Sequence, residues 1–129
     1  MKIADEILES KNCELWTVDP DESVQNALVI MSQKNIGALL VVQHERLIGI
    51  LSERDYVRKI VGQQLDPALT RVHEIMTRDV VTAAPTTTLD ECMQMMTRGR
   101  FRHLPILIGD DLVGMNSIND LVRALMGGK

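Results

Sequence analysis

The sequence predicts an α/β (α+β) fold built from two tandem β-α-β-β-α units packed about a pseudo-twofold axis. Three observations predict it. Residues 17–60 lie over residues 82–125 without a gap, with identical pairs at Thr17/Thr82, Pro20/Pro85, Met31/Met96, Leu39/Leu104, Leu47/Leu112, Gly49/Gly114, Ser52/Ser117, Asp55/Asp120, Val57/Val122 and Arg58/Arg123. That is roughly four times the rate ordinary composition would give, and fixed-period self-similarity is the signature of a repeat. Each half also shows the same order of patterns: extended, helical, hairpin, helical. Finally, a single unit of about 45 residues buries too little surface to stand alone, so the two must share a core.

Taken in order, each copy opens with a short extended piece, residues 15–18 or 80–83, that runs into Pro20 or Pro85 and a polar stretch. The next segment carries Val24, Ala27, Leu28 and Met31 in the first copy and Leu89, Cys92, Met93 and Met96 in the second. That i, i+3, i+4, i+7 spacing makes one buried stripe on a helix. Thr88 and Glu91 add a capping box at the start of the second. Apolar runs 38–42 and 47–51, joined by Gln43-His44-Glu45-Arg46, read as a hairpin, as do runs 104–108 and 112–115 around Gly109-Asp110-Asp111. A last helix closes each copy, over residues 53–61 and over 118–126, where Gly127-Gly128 stops it. The predicted organisation is one module: repeat one about 15–61, linker 62–79 and repeat two about 80–126. Within the linker, 62–71 reads as a loop and 72–76 as one helical turn. Ile3, Ile7 and Leu8 are spaced for a short amphipathic helix over residues 3–9. Packing two such units face to face creates two equivalent clefts, and ligands commonly occupy clefts of this kind.

Composition narrows the function classes. The chain of 129 residues is 45% hydrophobic and 25% charged, ordinary values for a soluble domain. Its net charge of -4 disfavours nonspecific binding to nucleic acid or anionic membrane. No run approaches the roughly 20 apolar residues of a membrane span. Met1-Lys2-Ile3-Ala4-Asp5-Glu6 puts acids where a secretory signal would be apolar. Cys13 and Cys92 form no Cys-x-x-Cys, so neither a disulfide framework nor a zinc site is signalled and a reducing cytoplasm is expected. Trp16, Tyr56 and Phe101 are the whole aromatic set. A purine site here would therefore be an aliphatic sandwich.

The chemistry-bearing motif is Gly-x-x-Ser-x-x-Asp, present at residues 49–55 and 114–120. One reading is a helix cap, in which Ser and Asp satisfy the orphan amides of the first turn. The other is a ligand site, in which a helix N-terminus favours an anion while Ser and Asp bond a ligand's hydroxyls. The two readings are compatible. Other residues have structural readings: His44 on a turn and His73 in the linker, Met93, Met95 and Met96 as core filler, and Cys92 on a buried stripe.

Thr-x-x-Pro, an amphipathic helix, a hairpin and Gly-x-x-Ser-x-x-Asp, twice in tandem, resemble the CBS motif pair named after cystathionine β-synthase. The phrases Leu51-Ser52-Glu53-Arg54-Asp55-Tyr56, Glu74-Ile75-Met76-Thr77 and Arg102-His103-Leu104-Pro105 are similar to those of small bacterial members, and the resemblance spans residues 15–125. It implies two ligand clefts. Asp55 and Asp120 would hold ribose hydroxyls, with Ser52 and Ser117 nearby. Walls would come from Thr17-Val18 or Thr82-Ala83 of the opposite repeat. Gly37-Ala38 or His103-Leu104 would give backbone contacts to adenine, and Ile50 and Met115 would pack on the base. Arg102 and His103 occupy the place where members often contact phosphate, and Arg54 is a further phosphate candidate. Arg98 and Arg100 suit the end of a helix. The copies differ: Gly37-Ala38 stands where the second has Arg102-His103, and Asn116 and Asn119 are polar where relatives often carry small or apolar residues.

The expected function is that of a regulatory module binding an adenosine-containing small molecule (AMP, ADP, ATP, NADH or S-adenosylmethionine) and signalling to an unidentified regulated protein by repacking. A homodimer is expected; nucleic acid and membrane partners are not. The alternative is a structural homodimerisation module with no ligand. An enzyme is the weakest reading, since no nucleophile, acid–base pair or metal set can be assembled.

Overall fold

The computed structural model describes Ala4 and residues 16–126. These form two units, residues 16–80 in one, and Ala4 with residues 81–126 in the other. The predicted N-terminal helix over 3–9, apart from Ala4, lies outside the described residues, as do Leu15, Cys13 and the Gly127-Gly128 stop.

In the first unit, β1 (Thr17–Val18) runs parallel to β2 (Ala38–Gln43), which pairs antiparallel with β3 (Arg46–Ser52). A parallel pair needs a crossover, supplied by α1 (Val24–Lys34). Ser23 caps its start by accepting from the Asn26 amide at 3.1 Å, and Asn35 ends it in the left-handed conformation that Asn tolerates. Val24, Ala27 and Met31 of the predicted stripe are buried and Leu28 is partly so. Lys34, in the last turn, places its ammonium 4.2 Å from the centre of the Trp16 ring.

The β2–β3 turn is tighter than the four-residue connection the sequence suggests. Only His44 and Glu45 are unpaired, at φ 53° and 65°. Two left-handed residues match the twist of the flanking strands, although Asn and Gly are the usual carriers. A register shift between Val41 and Val42 marks a bulge.

The segment after β3 departs from the expected plain helix over 53–61. A single α-helical turn, α2 (Glu53–Asp55), passes into a π-helical stretch, Tyr56–Val61. The Gly62 amide donates to the Val57 carbonyl at 3.0 Å and the Leu65 amide to that of Ile60 at 2.9 Å. Its two buried residues, Asp55 and Ile60, are five apart, a spacing that the wider turn brings toward one face.

The linker is not a spacer. Its short helix α3 (Val72–Ile75) buries Val72, Ile75 and the following Met76 in the same core as Val18, Val24, Leu39, Val41 and Leu51. Backbone bonds tie it down at both ends: the Val72 amide to the Glu22 carbonyl, and a reciprocal pair between Ile50 and Thr77 at 2.9 and 3.0 Å. Lys59 Nζ donates to the Ile75 carbonyl at 2.9 Å. The close approach explains Gly49, where an added Cβ would stand 2.6 Å from Met76 Sδ and 3.0 Å from the Thr77 oxygen.

The second unit repeats the plan with a shorter first strand. Only Ala83 bridges to the sheet, parallel to Ile106, where an extended piece over 80–83 was expected. Then come α4 (Leu89–Gly99), β4 (His103–Ile108), β5 (Asp111–Ser117) and α5 (Ile118–Leu125). The capping box expected of Thr88 and Glu91 is formed at 3.0 and 3.2 Å. The hairpin turn is again two residues, with Gly109 at φ 61°, so Asp111 belongs to the strand. The core joins Ala83, Leu89, Cys92, Met96, Leu104, Ile106 and Leu121 with Ala4, whose amide donates to the Thr87 carbonyl at 2.8 Å.

Candidate functional site

Side chains alternate across a strand, so register assigns each candidate residue to a face. In the first unit Thr17 lies opposite Leu40, Leu40 opposite Ile50, and Ala38 opposite Ser52. Thr17, Ala38, Ile50 and Ser52 therefore share one face. Val18, Leu39, Val41 and Leu51 point the other way, into the core. In the second unit His103 pairs with Ser117 and Pro105 with Met115, while Leu104 pairs with Asn116. His103, Met115 and Ser117 thus share the face that corresponds to Ala38, Ile50 and Ser52. Three candidates, Val18, Ala83 and Leu104, are core residues of their own unit. Their side chains are spent on packing, and the backbone of Ala83 is paired as well, its amide donating to the Pro105 carbonyl and its carbonyl accepting from the Leu107 amide, both at 2.9 Å. Thr82, Arg54 and Arg102 are exposed.

Both readings of the Gly-x-x-Ser-x-x-Asp motif meet the same geometry. Ser52 Oγ accepts from the Asp55 amide at 3.2 Å, and Asp55 Oδ2 accepts from the Ser52 amide at 2.9 Å. Ser117 and Asp120 reproduce this at 3.2 and 2.8 Å. The first helical amide is satisfied too: Glu53 donates to the Gly37 carbonyl at 3.0 Å and Ile118 to that of Arg102 at 2.8 Å. Gly37 and Arg102 are therefore fastened to the helix starts through their carbonyls. Each unit brings a strand start, a Ser hydroxyl and an Asp carboxylate to one end of its sheet.

The two carboxylates differ in what meets the other oxygen. Asp55 is 8% exposed, and its Oδ1 accepts from the hydroxyl of Thr77 at 3.2 Å. Ser52 Oγ adds a further bond to Oδ2 at 3.1 Å. Asp120 Oδ1 lies 3.9 Å from Arg123 Nη1, a contact weakened by the exposure of the guanidinium. Thr77 was not among the residues expected at the site, since it lies outside the duplicated stretch.

The polar departures of the second copy separate. Asn119 is exposed, whereas Asn116 is fully buried at the position of Leu51. Its Nδ2 donates to the Ala4 carbonyl at 3.5 Å, and its Oδ1 meets no hydrogen-bond donor among the described residues. Cys92 is buried, and burial raises its thiol above the ordinary range, which suits packing rather than nucleophilic attack. His73 lies 3.9 Å from Asp21. Among the described residues, no three His, Cys, Asp or Glu side chains gather to hold a metal ion, and no helix is long and apolar enough to cross a membrane.

This duplicated strand–helix–hairpin–helix architecture, with its paired Ser–Asp junctions, matches the CBS domain model over residues 6–62 and 72–127, and the chain belongs to that family. A signal-transduction candidate with CBS domains from Burkholderia ambifaria MC40-6 superposes with a TM-score of 0.94 at 43% identity, covering 98% of this chain and 95% of that one. The CBS domain-containing protein YhcV of Bacillus subtilis is 32% identical over 115 residues, 89% of this chain and 81% of its own length. The mitochondrial CBS domain-containing protein CBSX3 of Arabidopsis thaliana is 41% identical over 117 residues, 87% of this chain. The match spans 56% of the length of CBSX3.

Proposed function

We propose that this CBS pair is a regulatory module that binds an adenine nucleotide, Asp55 and Asp120 receiving ribose hydroxyls, and signals by ligand-dependent repacking to a protein partner. The observation that carries the reading is the Ser–Asp junction, built twice with one carboxylate oxygen fixed on the serine amide. A carboxylate held in this way is a pre-oriented acceptor for a hydroxyl donor. Thr17, Ala38 and Ile50, and in the second copy His103 and Met115, stand on the same sheet faces and would form the aliphatic and polar surround. Arg102 and Arg54 would approach the phosphates from solvent. The signal-transduction assignment of the Burkholderia relative agrees with a regulatory rather than catalytic role.

The test is thermal unfolding with AMP, ADP, ATP, NADH and S-adenosylmethionine on the wild type, Asp55→Ala and Asp120→Ala. A ligand at about 100 times its dissociation constant adds roughly 2.7 kcal/mol, a rise of several degrees. A rise with one ligand, lost in one variant, identifies ligand and site. No rise with any of them, checked by calorimetry, removes the nucleotide reading.

A second reading has its own observation. Val57 and Val61 are each 59% exposed, and the corresponding Val122 and Met126 are 40% and 80% exposed. Matched apolar positions on the last helix of each copy favour association with a second copy of this chain. A monomer mass by light scattering across micromolar concentrations would remove the homodimer.

A further inference from the structure

Thr77 closes the phrase Glu74-Ile75-Met76-Thr77 but lies outside both Gly-x-x-Ser-x-x-Asp motifs. The reciprocal backbone pair with Ile50 sets it beside β3, and antiparallel register puts its side chain on the same face as Ile50, Thr17 and Ser52. From there its hydroxyl donates to Asp55 Oδ1 at 3.2 Å, while Ser52 holds Oδ2 through its amide and hydroxyl. A vicinal diol approaching Asp55 needs two acceptor positions on this carboxylate. With Oδ2 committed to the helix cap, the diol must compete for Oδ1 with Thr77. The threonine hydroxyl has the same chemistry as a ribose hydroxyl: an O–H donor presented to a carboxylate.

We propose that Thr77 is an intrachain occupant of the diol position on Asp55, so that a ribonucleotide enters the first copy's site by displacing it. This inference rests on the nucleotide-binding reading above and adds a regulatory element to it. Thr77 directly follows the buried α3–Met76 segment. Displacement of its side chain would therefore be felt by the stretch that joins the two copies, which gives site occupancy a route to the linker.

The experiment is calorimetric titration of AMP, ADP and ATP into the wild type, Thr77→Val, Thr77→Ser, Asp55→Ala and Asp120→Ala, with melting temperatures recorded for each. Val keeps the β-branched shape that suits the sheet bridge and removes the donor; Ser restores it. The expected result is binding about tenfold tighter in Thr77→Val, with Thr77→Ser near wild type, the factor of one hydrogen bond to a charged acceptor. Binding of the 2′-deoxy analogues should gain less, since they lack the competing diol. Unchanged or weaker binding in Thr77→Val overturns the proposal and leaves the nucleotide reading standing. So does binding that Asp55→Ala leaves intact and Asp120→Ala abolishes. No binding to either the wild type or Thr77→Val overturns both.

Discussion

Asn116→Leu should stabilise this protein, and the magnitude can be worked from the neighbouring atoms. Asn116 is fully buried, and among the described residues its Oδ1 meets no donor while its Nδ2 makes a 3.5 Å contact to the Ala4 carbonyl. A buried acceptor left without a donor costs about 1–3 kcal/mol, and a bond at the limit of geometry returns well under 1 kcal/mol. The first copy holds Leu51 at the equivalent position, also fully buried, so the same local frame accepts that side chain. Leucine is bulkier than asparagine, and repacking beside its strand partner Leu104 offsets part of the gain. The net expectation is about 1–2 kcal/mol, or roughly 4–8 °C in melting temperature for a chain of this length. Urea titration followed by circular dichroism, with the slope unchanged and the midpoint raised, is the assay. A lowered midpoint would refute the reasoning.

Glu45→Gly relieves a left-handed residue in the β2–β3 turn, where φ is 65°; a gain of about 1 kcal/mol by denaturant midpoint is expected, and a loss would mean the turn is not strained. Gly49→Ala forces a Cβ against Met76 Sδ and the Thr77 carbonyl. It should cost about 1–3 kcal/mol, and a neutral result would show that Met76 moves aside freely. The pKa of Glu91 is held below its ordinary 4.5 by the Thr88 amide and hydroxyl. Its stabilising effect is therefore complete above 4.5 and lost as pH falls through the lower folded value. The melting-temperature advantage of wild type over Glu91→Gln should shrink below pH 4.5, and an advantage independent of pH would remove the ionised cap from the explanation.

The elements that could be read directly were those with a period. The Val24, Ala27, Met31 stripe and its Leu89, Cys92, Met96 counterpart repeat at helical spacing, and the hairpin runs alternate or are continuously apolar, so pattern alone placed them. The capping box at Thr88 and Glu91 was legible because it depends on residues three apart. What escaped is what periodicity does not encode. A four-residue helix such as α3 has no stripe, so its burial in the first unit's core depends on contacts with β-strands far along the chain. The wider turns after Asp55 follow from which residues that core admits. The bond from Thr77 to Asp55 joins residues 22 apart in sequence. Asn116 and Asn119 could both be recognised as polar departures, but only strand register decides that one faces the core and the other solvent. The side chains of Val18 and Ala83, expected as walls, and of Leu104, expected to contribute backbone contacts, pack in the core of their own unit, a distinction that a motif shared by both copies cannot express.

The indole of Trp16, capped by the Lys34 ammonium, gives the molecule an optical label on one half only. The sequence holds a single tryptophan, and it sits in the unit of residues 16–80. Tryptophan emission during denaturation therefore follows the first repeat alone, while far-ultraviolet dichroism averages both. Coincident curves would mark the pair as one cooperative body, and an emission change that precedes or trails the dichroism would time the melting of each repeat separately. With no added fluorophore, natural asymmetry makes the duplicated protein a two-channel instrument for its own folding.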